Sequence, residues 1–490
     1  PLESNLMSVV VELQNQGNTS LTSVEINWEI NGVIQTPYAW TGNLASAAYE
    51  TVTLPAYAFT GANIFDIKVW TSNPNGITDC NFYNDTSYVD NLVSSLCGEY
   101  TIGGVDPDFV DFTEAVTVLN HAGISCPVVF KVRDGVYNEQ ISITKITGVD
   151  SINTITFEGE SGDSSLVILQ YNNYNNVLDY TVSLSEAGYI SFKNLSIKRS
   201  DGYNTVIINN NSHHITFNHC NLVGSTHEHT MRSDYCDTLV VENTYIEGRS
   251  SISNSHYFIF SNNLLNRYDS YLSVFSLTGL LINNNTSIRG VTINDLNGGI
   301  IESNRFTHIS AYSATDVTIR SNNITNSIAL SSFSGNGSKV IDNTVVSSSS
   351  EYGSIFTEGA MVSEVSGNKV TGVENATGIN INSSNTLVSN NFVQTQGLGS
   401  TSGIVIGNNT SNVKVVFNSV NNLGTDPTAA RAIQINGGTN LTIKNNIFSC
   451  PGGGYPAFIA TTLMGHDWDY NDYYSSTGKI GNYNGVDYTS

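Results

Sequence analysis

The sequence predicts an all-β chain: an N-terminal immunoglobulin-like β-sandwich, then a right-handed parallel β-helix entered through a capping helix. Three observations carry that expectation. An asparagine returns about every 23 residues, at Asn194, Asn218, Asn243, Asn262, Asn284, Asn304, Asn322, Asn343, Asn368, Asn390, Asn418 and Asn445, and a period of this size marks a solenoid. The runs around it, such as ISFKNLSI, ITFNHCNL, LVVENTYI and VKVVFNSV, are β-branched, alternate at period two and are separated by Asn, Gly and Ser turns. No stretch between 190 and 450 carries a helical period, so helices cannot cover a flat parallel sheet and the strands must cover one another by coiling. Equivalent asparagines then fall into a column at the interstrand spacing of roughly 4.8 Å, each amide donating to the next. These asparagines are read as structural.

Residues 1–95 form the predicted sandwich. VEINWEINGVIQ alternates around an Asn31-Gly32 hairpin turn, and YETVTL and NIFDIKVW read as further strands. Within SNPNGITDCNFYND, Asp79 and Asp85 are candidate calcium ligands in a loop that also reads as merely polar. Residues 96–465 form the predicted β-helix. In DFVDFTEAVTVLNHAG, near 109–123, Asp111 and Glu114 make a capping box, Phe112, Ala115, Val116 and Leu119 an apolar stripe, and Gly123 a C-terminal stop. Residues 466–490, opening with HDWDYNDYY, break the repeat and read as a C-terminal cap or a linker to further domains.

With 42 acidic against 19 basic residues the formal charge is −23, which argues against nucleic acid and anionic membrane as partners. No apolar run is long enough to span a membrane. Abundant Asn, Ser, Thr and Gly with little Lys point to an exported protein, extracellular or at the cell surface. Six cysteines permit fifteen full pairings. Cys97 and Cys126, flanking the capping helix, are the favoured pair, and no zinc spacing occurs.

One charged constellation stands out. Counted from the repeat asparagines, Arg199, Arg267 and Arg289 fall at +5, Arg249 at +6, and Asp201 and Asp269 at +7. Stacked coils would make this a basic line able to grip carboxylate or sulfate on an acidic polysaccharide, because guanidinium forks match both. His213, His214, His219, His227 and His229 crowd the same region, with Glu228, Arg232 and Asp234. The candidate glycan-binding set is Arg199, Asp201, His227, His229, Arg249, Arg267, Asp269 and Arg289. Solvated turn charges are the competing reading.

The run CGEYTIGGVDPDFVDFTEAVTVLNHAGISCPVVFKVRDGVYNEQISI, followed by NTITFEGESGDSSLVIL and YISFKNLSI, resembles the entry of pectin-lyase-like β-helices, above all the pectin methylesterase type. With the leading sandwich, the chain resembles the immunoglobulin-like plus β-helix units of giant type IX-secreted surface proteins of Bacteroidota. That resemblance implies export and an adhesive or structural role, with self-association, further domains of one large protein, or a surface polysaccharide as partners. It also implies O-glycosylation at Asp150-Ser151-Ile152 and Asp237-Thr238-Leu239. The esterase catalytic phrases and the calcium-dependent lyase signatures are missing, so no catalytic residue is assigned, and calcium is the one cofactor considered. An extracellular structural or adhesive protein is the first functional expectation; a secreted polysaccharide lyase or carbohydrate esterase is the alternative.

Overall fold

The computed structural model describes residues 6–59, 64–79, 81, 83–172, 179–332, 337–348, 353–359 and 362–489. Two compact units divide the chain, one holding Pro1–Arg133, Ile143–Glu158 and Ala187–Ile190, the other the remainder.

In the first unit, strands Leu6–Gln14 and Tyr49–Ala58 pair antiparallel as one sheet, while Leu21–Ile30 anchors a second, five-stranded sheet. Leu21–Ile30 alternates buried Val24, Ile26, Trp28 and Ile30 with more exposed residues, the period-two pattern of a half-buried strand. Its hairpin turns at Asn31 (φ 47) and Gly32 (φ 76), the two positive φ values that a type I′ turn requires and that Asn-Gly accepts most readily. Phe59 and Phe65 meet edge-on at 5.1 Å within the core.

Past Val93 the pairing changes from antiparallel to parallel. Strands Leu96–Ile102 and Ile124–Val132 run side by side, and the crossover between them contains helix Phe112–Ala122. The Asp111 side chain accepts from the Glu114 N–H at 2.9 Å, and Glu114 accepts from the Val110 N–H at 2.7 Å. The predicted box thus forms with its reciprocal bond shifted one residue outward. Phe112, Ala115, Val116 and Leu119 are buried, Phe112 stacks on Phe157 at 6.0 Å, and Gly123 takes φ 67 to end the helix. Cys97 and Cys126 form a disulfide. Cys220, Cys236 and Cys450 are buried free thiols, and Cys80 lies outside the described residues.

The second unit is a right-handed parallel β-helix. Its strands fall on three faces, represented in one coil by Val206–Asn209, His213–Asn218 and Asn221–Val223. Each strand pairs in parallel with its counterpart one coil on, for example Val206↔Met231, Ile215↔Leu239 and Leu222↔Ile246. Inward positions stack like on like: Leu169, Ile197, Leu222, Ile246 and Leu265 form one column, each at most 1 % exposed. Burying each such side chain is worth about 1.5–3 kcal/mol.

The asparagine column exists, but its register corrects the sequence reading. The buried ladder at the corner between the second and third faces runs through Asn263, Asn285, Asn304, Asn322, Asn343, Asn368, Asn391, Asn418, Asn446 and Asn471. From Asn304 onward each side-chain oxygen accepts both the backbone N–H and the side-chain N–H of the asparagine one coil before, at 2.8–3.1 Å where Asn322, Asn343 and Asn446 donate; Asn285 Oδ1 accepts the Asn263 backbone N–H alone and Asn263 Oδ1 that of Thr244. Of the predicted positions, Asn304, Asn322, Asn343, Asn368 and Asn418 lie in it. Asn194, Asn243, Asn262, Asn284, Asn390 and Asn445 instead sit at the turn, in left-handed backbone with φ between 52 and 56, and Asn218 ends a strand with its amide donating to Glu242. In doublets such as Asn262-Asn263 the first residue satisfies the turn and the second the ladder, since Asn tolerates positive φ better than other side-chain-bearing residues.

The repeat also continues past residue 465. Asp467–Asp469 and Asp472–Ser475 pair in register with the preceding coil, and Asn471 is a ladder member. The antiparallel hairpin Lys479–Tyr483 with Val486–Thr489 follows.

Candidate functional site

The five clustered histidines occupy different corners of one coil. His213 and His214 begin the second face, their rings 5.6 Å apart. His219 takes the left-handed turn before the ladder (φ 52) and bonds the Asn218 side chain. His227 and His229 lie at the corner between the third and first faces, where the candidate arginines are also found. A histidine-rich phrase wound round a coil of about 24 residues is not a histidine cluster.

The arginines divide into two kinds. Arg199 is 1 % exposed; its Nε and Nη2 grip both oxygens of Asp201 at 2.6 and 3.0 Å, Nη1 donates to the Tyr180 carbonyl, and the rings of Tyr171 and Tyr203 flank it. Arg267 repeats this fork on Asp269 at 2.6 and 3.3 Å and donates to the Gly224 and Ser225 carbonyls at 2.7 Å. The same Arg-x-Asp spacing thus makes two turn locks whose charge is spent internally. The expected exposed line is corrected on this point: Arg199, Asp201 and Asp269 are buried.

Arg249 is different. It starts strand Arg249–Ser255 opposite His229, lies 5.8 Å from the Tyr271 ring, and has a buried Nε with no hydrogen-bond partner. Among the described residues no carboxylate pairs with it. His229 is half-buried with an unpartnered Nδ1, 3.8 Å from a Glu228 oxygen and so beyond hydrogen-bond reach. Burial lowers its pKa below the usual histidine value; Glu228 opposes that shift, while Arg232 and Arg249 add to it. Further along this corner Arg289 donates to the Tyr268 carbonyl at 2.6 Å, and the His308 pKa is lowered by burial and then by Arg289. Gly290 permits this approach, since a Cβ there would fall 1.9 Å from the His308 carbonyl oxygen.

The corner therefore presents neutral imidazoles between cations, with Arg249 held against an aromatic ring and lacking an anion. Sequence reasoning missed Tyr271 and His308, which stand one and three coils from Arg249 in register. His229 and His308 are expected to titrate below about 6.5, the ordinary histidine value. The unfolded chain takes the proton first, so both contribute a fall in stability as pH drops below that value and none above it. Imidazole chemical shifts followed through a pH titration check this; a normal or raised value at His229 would contradict the burial argument.

His227 is exposed and interacts with the Thr226 hydroxyl. Asp79 accepts from the Asn81 N–H at 2.9 Å, and the Asp85 pKa is raised by burial and then by Asp79. Among the described residues no group of three or more acidic, His or Cys side chains is arranged to hold a metal. Asp150 accepts from the Ile152 and Asn153 N–H groups beside exposed Ser151, whereas Asp237-Thr238-Leu239 enters a strand with Leu239 in the core. Burial pushes the thiols of Cys220, Cys236 and Cys450 up to about 12, which rules them out as nucleophiles near neutral pH.

Three-faced parallel coils with an internal asparagine ladder define a parallel β-helix. No protein-family model and no curated protein matches the chain. Among solved structures it is similar to the deglycosylated pectin methylesterase of Aspergillus niger, at 15 % identity over 47 % of this chain and 78 % of that one, TM-score 0.29. It is also similar to the DFA-IIIase of Arthrobacter chlorophenolicus A6, at 10 % identity over 67 % and 88 %, TM-score 0.34. Escherichia coli YbhC gives 10 % over 51 % and 77 %, TM-score 0.29.

Proposed function

We propose that the chain is an extracellular protein that engages an acidic polysaccharide at the Arg249 corner, as a secreted lyase or carbohydrate esterase. One observation carries this reading: Arg249 holds a partly buried charge with no carboxylate partner among the described residues, beside His229, whose Nδ1 has no hydrogen bond and whose pKa burial lowers. A partly desolvated guanidinium gains most from a bidentate oxyanion, and a uronate carboxylate supplies one. With that carboxylate neutralised, the neighbouring imidazole is placed to accept a proton from the adjacent carbon. For a lyase, loss of the C5 proton to the imidazole forms the C4=C5 double bond of an unsaturated uronate and breaks the C4–O glycosidic bond, the departing oxygen taking a proton from water or from the imidazolium.

The test is binding and turnover of oligogalacturonate and of methylated and sulfated glycans. Arg249→Ala should weaken binding at least tenfold. Unsaturated product identifies a lyase, released methanol or acetate an esterase. Unchanged affinity in the variant would overturn the reading.

A second reading, a structural or adhesive surface segment that associates with its own copies or further domains, is favoured by a separate feature. On the outside of the second face Val240, Ile259, Leu281 and Ile300 stack in register, partly exposed, with Tyr257 alongside at 62 % exposed. Contiguous apolar surface of this kind marks contact sites. Tight binding without product, together with concentration-dependent mass in light scattering, would place the protein there.

A further inference from the structure

Arg431 lies on the same corner as Arg249, far along the coil stack, and no motif in the sequence points to it. It is the second residue of strand Ala430–Ile435, between Ser402 and Tyr455 of the adjacent coils, and Tyr455 is followed in register by Lys479. Its guanidinium carbon lies over the Phe458 ring, 3.7 Å from the centroid. Nη1 donates to Gln434 Oε1 at 2.8 Å; Nε is buried and unpartnered. Among the described residues no carboxylate lies within ion-pair reach. Arg199, Arg267 and Arg320, in contrast, each hold an Asp or Glu at 2.6 Å.

The neighbouring polar groups are oriented the same way. Gln434 Oε1 accepts from Arg431 and also from the Ser402 hydroxyl at 3.0 Å, and Asn436 Oδ1 accepts from Gln434 Nε2 at 2.7 Å. With these acceptors occupied internally, the outward groups are donors: Arg431 Nη2 and the remaining amide N–H groups of Gln434 and Asn436. A donor-rich patch around a guanidinium with no direct ion pair among the described residues complements an oxyanion. Burial lowers the Arg431 pKa, with Tyr455 and Asp426 opposing the shift; Asp426 acts from beyond ion-pair distance and compensates the charge only in part.

We propose that Arg431, with Gln434 and Asn436 and supported by Phe458, forms a second oxyanion-recognition subsite that takes a carboxylate or sulfate of the same acidic polymer. Eight coil-to-coil pairings separate the Arg249 and Arg431 rows, roughly 40 Å at about 4.8 Å per coil. The two subsites therefore favour an extended polyanion over a short oligomer, because the second contact of a tethered ligand is intramolecular. This rests on the acidic-glycan reading for the ligand's identity, though not for the Arg431 site itself.

The experiment compares Arg431→Gln, Arg249→Ala and the native chain in calorimetric titrations with long polygalacturonate, a galacturonate trimer, a long sulfated glucan and inorganic sulfate. The expected result is that Arg431→Gln lowers affinity for a long polymer at least tenfold and removes one trimer site, while the Arg249→Ala protein keeps that site. Preference for polygalacturonate or for the sulfated glucan identifies carboxylate or sulfate as the group bound. Phe458→Leu, which retains bulk but removes the ring face, should weaken the same site with no loss of thermal stability beyond a few degrees. If Arg431→Gln leaves long-polymer affinity and trimer stoichiometry unchanged, the subsite does not exist. Equal binding of inorganic sulfate and the polymers would overturn the saccharide assignment. If Arg249→Ala has no effect but Arg431→Gln does, the Arg249 reading fails and the subsite stands.

Discussion

Replacing Asn343 by Ala is expected to destabilise the β-helix by about 3–5 kcal/mol, whereas Asn390→Ala, at a residue that looks equivalent in the sequence, should cost only about 1–2 kcal/mol. Asn343 Oδ1 accepts two bonds from Asn322, and its Nδ2 donates to Asn368 and to the Ile319 and Ile341 carbonyls at 3.0–3.1 Å. Removing the amide leaves the buried Asn322 N–H and the Ile319 carbonyl without these partners, and each unsatisfied buried group costs about 1–3 kcal/mol. Asn390 is exposed and contributes chiefly its tolerance of φ 54, for which an Ala pays only the left-handed penalty of about 1–2 kcal/mol. Asn390→Gly should therefore be near neutral, and Asn343→Gly should be at least as damaging as Ala. Because coils contact only their neighbours, the loss should concentrate near residues 319–368, and hydrogen exchange would locate it. Equal costs at 343 and 390 would show that the buried ladder is not what holds the coils in register.

Local rules made the capping helix and the Asn31-Gly32 hairpin legible, because a cap, a stripe and a turn each act within a few residues. The coil period was legible because every coil needs one left-handed turn and one ladder amide. Which of two adjacent asparagines points inward was not, since that depends on strand register and both residues serve the same corner. For the same reason HDWDYNDYY read as a break: Trp468 and Tyr473 stand in register with Ile443 and Phe448, yet Asn471 continues the ladder. The site was legible only in part. Spacing found Arg199, Arg249, Arg267 and Arg289 on one corner, but spacing does not report whether an aspartate two residues on has already captured the charge. Arg431 and Phe458, 27 residues apart, meet only because adjacent coils bring them together.

The pair Arg199 and Asp201 supplies the second large effect. Asp201→Ala should destabilise the protein by about 3–5 kcal/mol, because a guanidinium with no exposed side-chain surface is left without its counter-charge. Arg199→Met with Asp201→Leu should recover most of that loss, since replacing both members of a buried pair by apolar residues of similar size is often neutral or favourable. Three urea unfolding curves decide it. The fork is a turn lock flanked by Tyr171 and Tyr203, so neither change should alter saccharide affinity at Arg249 in protein that remains folded. The opposite pattern, an Asp201→Ala chain with unchanged stability and lost glycan binding, would return Arg199 to the binding surface from which its burial removes it. The distinction extends to Arg267, whose fork on Asp269 is built alike but keeps 19 % of its side-chain surface exposed. There Asp269→Ala should cost less than Asp201→Ala, because water can still reach part of the released charge.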